Sequence, residues 1–266
     1  MTTSPITSRL LGIGWCVLVP FAVVAVYLGL GTVTVRLIGE PIGATAVLGM
    51  LVVVLVASVR IQQPQWLAHA PAPQQKTEIP RFGWTVLGCA VLAFLAGQSL
   101  ALWIYVTAGS AGFDASNQAR HAAGALATLL LTLVAAPAGE EALFRGLIYP
   151  LLRKRVSIPA STLVTAVVFG LLHGSAVQFA ATLPLAVLLA LTYERTRVLW
   201  PCVLLHLGFN LAASLVPAQA LGALANPVSA VFLCLAFAGC ALGLYRRIAG
   251  GTAPGAVQGA GESAMQ

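Results

Sequence analysis

Two adjacent carboxylates, Glu140 and Glu141, and one arginine, Arg145, lie in a stretch that otherwise reads as membrane. Ala122 to Pro137 runs into them without a charge, and Gly146-Leu147-Ile148-Tyr149-Pro150-Leu151-Leu152 runs out. A charge at mid-bilayer costs at least ~2.5–3.5 kcal/mol on insertion scales, so an ionisable residue inside a span is functional by default. In a helix, Glu141 and Arg145 are i and i+4 with the acid N-terminal, the better orientation for an ion pair. Glu140 is turned about 100° away and lacks that partner. The spacing predicts one paired, structural glutamate and one free to act as a base.

Two further apolar segments carry histidines. The first is Phe169-Gly170-Leu171-Leu172-His173-Gly174, whose glycines allow a neighbouring helix to come close. The second, His206-Leu207-Gly208-Phe209-Asn210, sets an imidazole and an amide at i and i+4, on one face. The plain alternatives are a packing histidine bonded to a backbone carbonyl and an interhelical polar clamp, both of which membrane bundles use. Two catalytic schemes fit these residues. Glu140, His173 and His206 would bind a divalent metal such as Zn²⁺ and lower the pKa of its water. Otherwise Glu140 with His173 would activate water directly, while His206 and Asn210 stabilise the oxyanion. The paired histidines of H-E-x-x-H are absent, as is G-x-S-x-G, and the metal-free scheme is the simpler fit.

The elements that must position these groups are spans. Of 266 residues 59% are hydrophobic and 8% charged, far below the ~25% charged of soluble domains, which makes this an integral membrane protein. Apolar segments near 10–35, 42–59, 84–108, 122–152, 157–174, 176–193, 199–217 and 226–245 predict an all-α, polytopic helical bundle with about eight transmembrane helices. The first segment exceeds a signal-peptide core and is expected to be retained. Residues 1–247 read as one transmembrane domain, and the Gly-, Ala- and Ser-rich 248–266 as a disordered cytoplasmic tail. The loop from Arg60 to Arg81 is proline-rich and holds Trp66, a residue type that settles at headgroup level. Five single cysteines without C-x-x-C spacing argue against a disulfide framework and a thiolate metal site.

The net charge of +7 does not indicate nucleic-acid binding, because the basic residues sit at the ends of apolar runs rather than along a stripe. With the N-terminus inside, eleven cations (Arg9, Arg60, Lys76, Arg81, Arg153, Lys154, Arg155, Arg195, Arg197, Arg246 and Arg247) fall on the cytoplasmic side, against Arg36 and Arg120 outside. Both termini are therefore expected in the cytoplasm. At ~1.5 Å per residue, Glu140, His173 and His206 lie roughly 20, 27 and 14 Å along their helices from the cytoplasmic cations. Three helices thus deliver ionisable groups to one layer.

In this order, Glu140-Glu141-x-x-x-Arg145, Phe169-x-x-x-His173 and His206-x-x-x-Asn210 resemble the three motifs of the CAAX protease and bacteriocin-processing (CPBP, or Abi) family. The similarity covers about 120–215 and extends to Gln178-Phe179, Thr182, Tyr193 and Leu199-Trp200. The resemblance implies an eight-span fold with a cavity open to the cytoplasm. It implies Glu140 as the base with His173, His206 and Asn210 near the oxyanion, and Glu141 and Arg145 as orienting residues. The family name "metalloprotease" comes with it, and so does a prenylated or other membrane-associated peptide as substrate. Ala186 and Ala190 stand where such sequences often carry glycine, and Arg197-Val198 replaces a small or polar turn. An intramembrane endopeptidase of a bacterial cell membrane is the reading this supports. Its competitors are a non-catalytic scaffold or bacteriocin-immunity protein, and a carrier, against which the absence of an inverted repeat counts. Nothing in the sequence sets the oligomeric state.

Overall fold

The structure is a computed structural model that describes residues 5–69, 79–122 and 124–250. The described residues are helical, with no strand. The helices are α1 (Pro5–Ile38), α2 (Pro41–Gln62), the one-turn α3 (Pro64–Leu67), α4 (Ile79–Ala108), α5 (Ala111–Ala122), α6 (Ala125–Arg153), α7 (Ile158–Leu171), α8 (Ala176–Thr196), α9 (Trp200–Leu215) and α10 (Pro227–Gly250). Local chemistry sets several of the ends. Both Glu40 carboxylate oxygens accept from the first free amides of α2, those of Ile42 at 2.7 Å and Gly43 at 2.6 Å. Pro41 follows at the first helical position, where its missing N–H costs nothing. Ser175 caps α8 in the same way, through the Gln178 amide.

The eight expected apolar segments are all helical, but they are not all spans. Six helices are long and apolar enough to cross a membrane, and α9 becomes a seventh only if the 3-10 turn Ala218–Leu224, bent from it by 96°, is counted with it. α7 has 14 residues, about 21 Å at ~1.5 Å each, against ~30 Å of hydrocarbon. It stops early because Gly174 takes a left-handed conformation, φ +76°, and Ser175 at once starts α8. The α7–α8 turn therefore lies at membrane depth, where irregular backbone survives only under a protein cover. α5 supplies that cover. Gly112 is so close that a methyl there would sit 3.3 Å from the Gly174 carbonyl oxygen. Phe113 joins Ala101, Val177 and Ala180 in one apolar cluster beside it.

α8 is the central helix: 61% of its apolar window is buried, against at most 33% in any other long span. It packs on α4, α7, α9 and α10. α1 is peripheral and touches the bundle through contacts such as Trp15, whose Nε1 donates to the Leu151 carbonyl at 2.7 Å. One cysteine expectation needs correction. Cys89 of α4 and Cys240 of α10 form a disulfide, 151 residues apart, which no spacing rule detects because the pairing is made by two packed helices. Cys16, Cys202 and Cys234 are free, as expected of packing residues. Trp66 on α3 is exposed, while residues 70–78 of the proline-rich loop and the tail from 251 lie outside the described residues.

α2 crosses α6 at Gly49 and Gly139. A Cβ on Gly139 would sit 2.6 Å from Gly49 Cα, so the two backbones are in direct contact just before the carboxylate pair. Gly139→Ala is expected to cost about 1–3 kcal/mol through overpacking. Gly88→Ala, at a site where nothing lies within 4 Å, should be neutral or slightly stabilising. Thermal unfolding of the two purified variants in one detergent checks the contrast.

Candidate active site

α6 does not run as a regular α-helix through the acidic motif. It widens into π-helix at Leu131–Ala135 and again at Ala142–Ile148, each stretch followed by a proline, Pro137 and Pro150. Proline lacks the N–H and crowds the preceding turn, and π turns are frequent at functional sites. In the first wide turn the Ala136 amide bonds back to Leu131 O. The Thr132 carbonyl is then left without a partner, since the next amide in register belongs to Pro137. Asn210 of α9 fills the gap, its Nδ2 donating to Thr132 O at 2.9 Å. One N–H of that amide is thereby used to hold α9 against α6, and the second N–H remains.

Glu141 and Arg145 form the expected i,i+4 pair, 3.0 Å apart, and both side chains are fully buried. The π turn does not separate them. Arg145 Nη2 also donates to the Ala186 carbonyl of α8 at 2.7 Å, and its guanidinium lies over the Phe169 ring at 5.2 Å. The Glu141 Oε1 that takes Arg145 also takes His206 Nδ1, 2.9 Å away. A carboxylate only accepts, so His206 Nδ1 donates and the neutral ring keeps its acceptor lone pair on Nε2. That Nε2 is 3.8 Å from Glu140 Oε2, too far for a hydrogen bond and close enough to share a small reacting group.

Among the described residues no arginine lies within salt-bridge range of Glu140, and its side chain keeps 28% exposure where Glu141 keeps none. Its Oε2 is buried without a hydrogen-bond partner. His173, at the α7–α8 turn, donates Nδ1–H to the Phe169 carbonyl at 2.9 Å, leaving Nε2 as the free nitrogen. The Phe169 ring touches both imidazoles, with centroid distances of 4.9 Å to His173 and 5.8 Å to His206. The expected residues are thus brought to one region. Glu140 faces His206, which Glu141 anchors between the two acids, while Phe169 O holds the His173 ring. Among the described residues, no three His, Cys, Asp or Glu side chains are grouped to hold a metal ion.

Three contributors escaped the sequence reading. Arg120 of α5, assigned only to the outer surface, lies within electrostatic reach of Glu140: burial pushes its guanidinium down and the carboxylate pushes it back up. With the Gln178 amide turned to satisfy its neighbours, its oxygen accepts from Arg120 Nη2 at 3.1 Å and its nitrogen donates to His173 O at 2.7 Å. Glu194, at the basic end of α8, is buried and bound by Arg153 (3.1 Å) and Arg197 (2.7 Å). A lone acid three residues before an arginine at a span's end was the available signal. Arg197 itself replaces the usual small turn residue in a left-handed conformation, φ 58°, and its Nε caps α8 through Glu194 O.

Residues 122–212 match the family described as Rce1-like, Type II CAAX prenyl endopeptidase Rce1-like. No curated protein and no solved structure matches the chain.

Removing one partner of a buried pair leaves an uncompensated charge, at a cost of about 3–5 kcal/mol. Arg145→Ala is expected to show that loss in thermal unfolding. Arg145→Lys recovers only part of it, because an ammonium lacks the fork that reaches Glu141 and Ala186 O together.

Proposed function

We propose that this chain, whose residues 122–212 match the Rce1-like, type II CAAX prenyl endopeptidase family, is an intramembrane endopeptidase that hydrolyses a peptide bond near the C-terminus of a lipidated or membrane-associated peptide. The observation that carries the reading is the buried chain Arg145–Glu141–His206, which ends 3.8 Å from a glutamate with no arginine of its own. A purely structural clamp needs the first three residues and has no use for the fourth.

Glu140 is the base. It takes a proton from a water whose oxygen attacks the scissile carbonyl carbon, so a C–O bond forms as the carbonyl π bond opens to an oxyanion. Glu141 fixes the tautomer and orientation of His206, the part a carboxylate plays for a catalytic histidine. His206 Nε2 lies at the reacting atoms, and the unused N–H of Asn210 is a donor for the oxyanion. Collapse breaks the C–N bond, and the proton held by Glu140 passes to the departing amine. His173 Nε2, held across the site by the Phe169 carbonyl, is the second imidazole available for that transfer. Desolvation in the bundle strengthens each of these interactions relative to water.

Orientation follows from the charges. Arg60, Arg153, Lys154 and Arg197 gather at one end of the bundle, where Lys154 Nζ reaches Gln65 O and Arg60 reaches Tyr193. The positive-inside rule assigns that end, and both termini, to the cytoplasm. A bacterial membrane, with a peptide precursor or a membrane-protein tail as substrate, suits the composition.

The test is cleavage of a quenched fluorescent, farnesylated CAAX-type peptide by detergent-purified protein, with and without chelator. Glu140→Gln is expected to lower kcat by roughly 10²–10⁴, the range for losing a general base, while the unfolding curve stays in place. Full turnover by Glu140→Gln would sink the mechanism. A folded wild type that binds peptides without cutting any would favour the scaffold or immunity reading instead.

A further inference from the structure

The basic end of the bundle holds a cavity of about 340 Å³, separate from the glutamate–histidine site and lined among others by Arg60, Leu67, His69, Tyr193 and Arg197. Two guanidiniums line it, those of Arg60 and Arg197. Their acidic counterpart is Glu194, which Arg153 and Arg197 already share. Arg60 has no carboxylate within 4 Å among the described residues. Its Nη2 donates to the Tyr193 hydroxyl at 2.6 Å, its guanidinium lies 5.7 Å from the Tyr193 ring centroid, and its Nε is buried without a partner. The Tyr193 oxygen spends its acceptor role on Arg60, which leaves its O–H as a further donor. His69 adds no charge: burial first, and then the neighbouring Arg197, push it down to about 4. With Arg197 paired to Glu194, the Arg60 guanidinium is left lining the hollow without a carboxylate, and an unpaired charge is costly wherever it is shielded from water.

We propose that this cavity is an anion site, in which Arg60 and Tyr193 bind a phosphate group at the membrane surface. The nearby α3 presents Trp66 to its surroundings, and tryptophan settles at headgroup depth. The phosphate comes either from an anionic phospholipid headgroup or from a free phosphate in solution. A guanidinium offers two parallel N–H donors to phosphate oxygens, and Arg60 Nε is the one it has not committed.

Native mass spectrometry of the full-length protein, titrated with phosphatidylglycerol and phosphatidylcholine at equal concentrations, separates the outcomes. Wild type is expected to prefer phosphatidylglycerol by about fivefold, the equivalent of ~1 kcal/mol per basic residue near an anionic surface. Arg60→Gln should erase that preference, Arg60→Lys should keep part of it, and Arg155→Gln, whose guanidinium stacks on Trp15 away from the cavity, should leave it intact. Size-exclusion profiles of all three variants report their folding. A thermal shift by inorganic phosphate that disappears in Arg60→Gln, without any lipid preference, would keep the site and identify its ligand as free phosphate. If neither lipid preference nor phosphate shift depends on Arg60, the proposal is overturned.

Discussion

Everything at the centre of this bundle depends on one ion pair that cannot be allowed to open. Arg145 and Glu141 are fully buried in a membrane protein, where separating the charges forfeits a large Coulomb term and leaves each without solvation. The pair survives because each partner is also bonded elsewhere, Arg145 to the Ala186 carbonyl of α8 and Glu141 to His206 of α9. Three helices are therefore tied at one depth by four groups. The departure at Ala186 suits this arrangement. Its side chain is fully buried, and its carbonyl, rather than any side chain, receives the arginine.

A second tie lies closer to the basic end. Arg153 of α6 binds Glu194 of α8, and both this contact and the Arg145–Ala186 contact join residues 41 apart. The constant offset means that α6 and α8 run parallel and are pinned at two levels, eight residues or ~12 Å apart. Beside those rungs Tyr149 packs with Leu185, Leu189 and Tyr193 in one buried cluster. The lower rung also shapes the anion cavity, because Glu194 pairs with its Arg197 and leaves Arg60 alone. Site and cavity are thus separate consequences of the same parallel pair.

Much of this was legible in the sequence for a physical reason. Charges in apolar runs are expensive enough to be informative one at a time, so Glu140, Glu141, Arg145, His173, His206 and Asn210 stood out without any structure. The i,i+4 geometry of Glu141 and Arg145 survives even the π turn that contains Arg145. What stayed hidden depended on helices meeting in space. The Asn210–Thr132 bond requires a widened turn and a proline to free a carbonyl, and neither announces itself as a site. The position of His206 between the two acids is decided by how α9 meets α6. The Cys89–Cys240 link spans most of the chain. The all-helical membrane bundle was legible too, with eight an approximate count of its spans, since α7 is apolar throughout but only 14 residues long.

The shortness of α7 makes it a ruler. His173 stands where it does because 14 helical residues end there, so its depth is graded in steps of backbone rather than tuned by side-chain rotamer. One turn more would carry the imidazole ~5.4 Å towards the opposite face and out of register with His206 and Glu140. The turn beneath α5 is therefore a fixed stop, and the layer in which chemistry is possible has been measured off in peptide units.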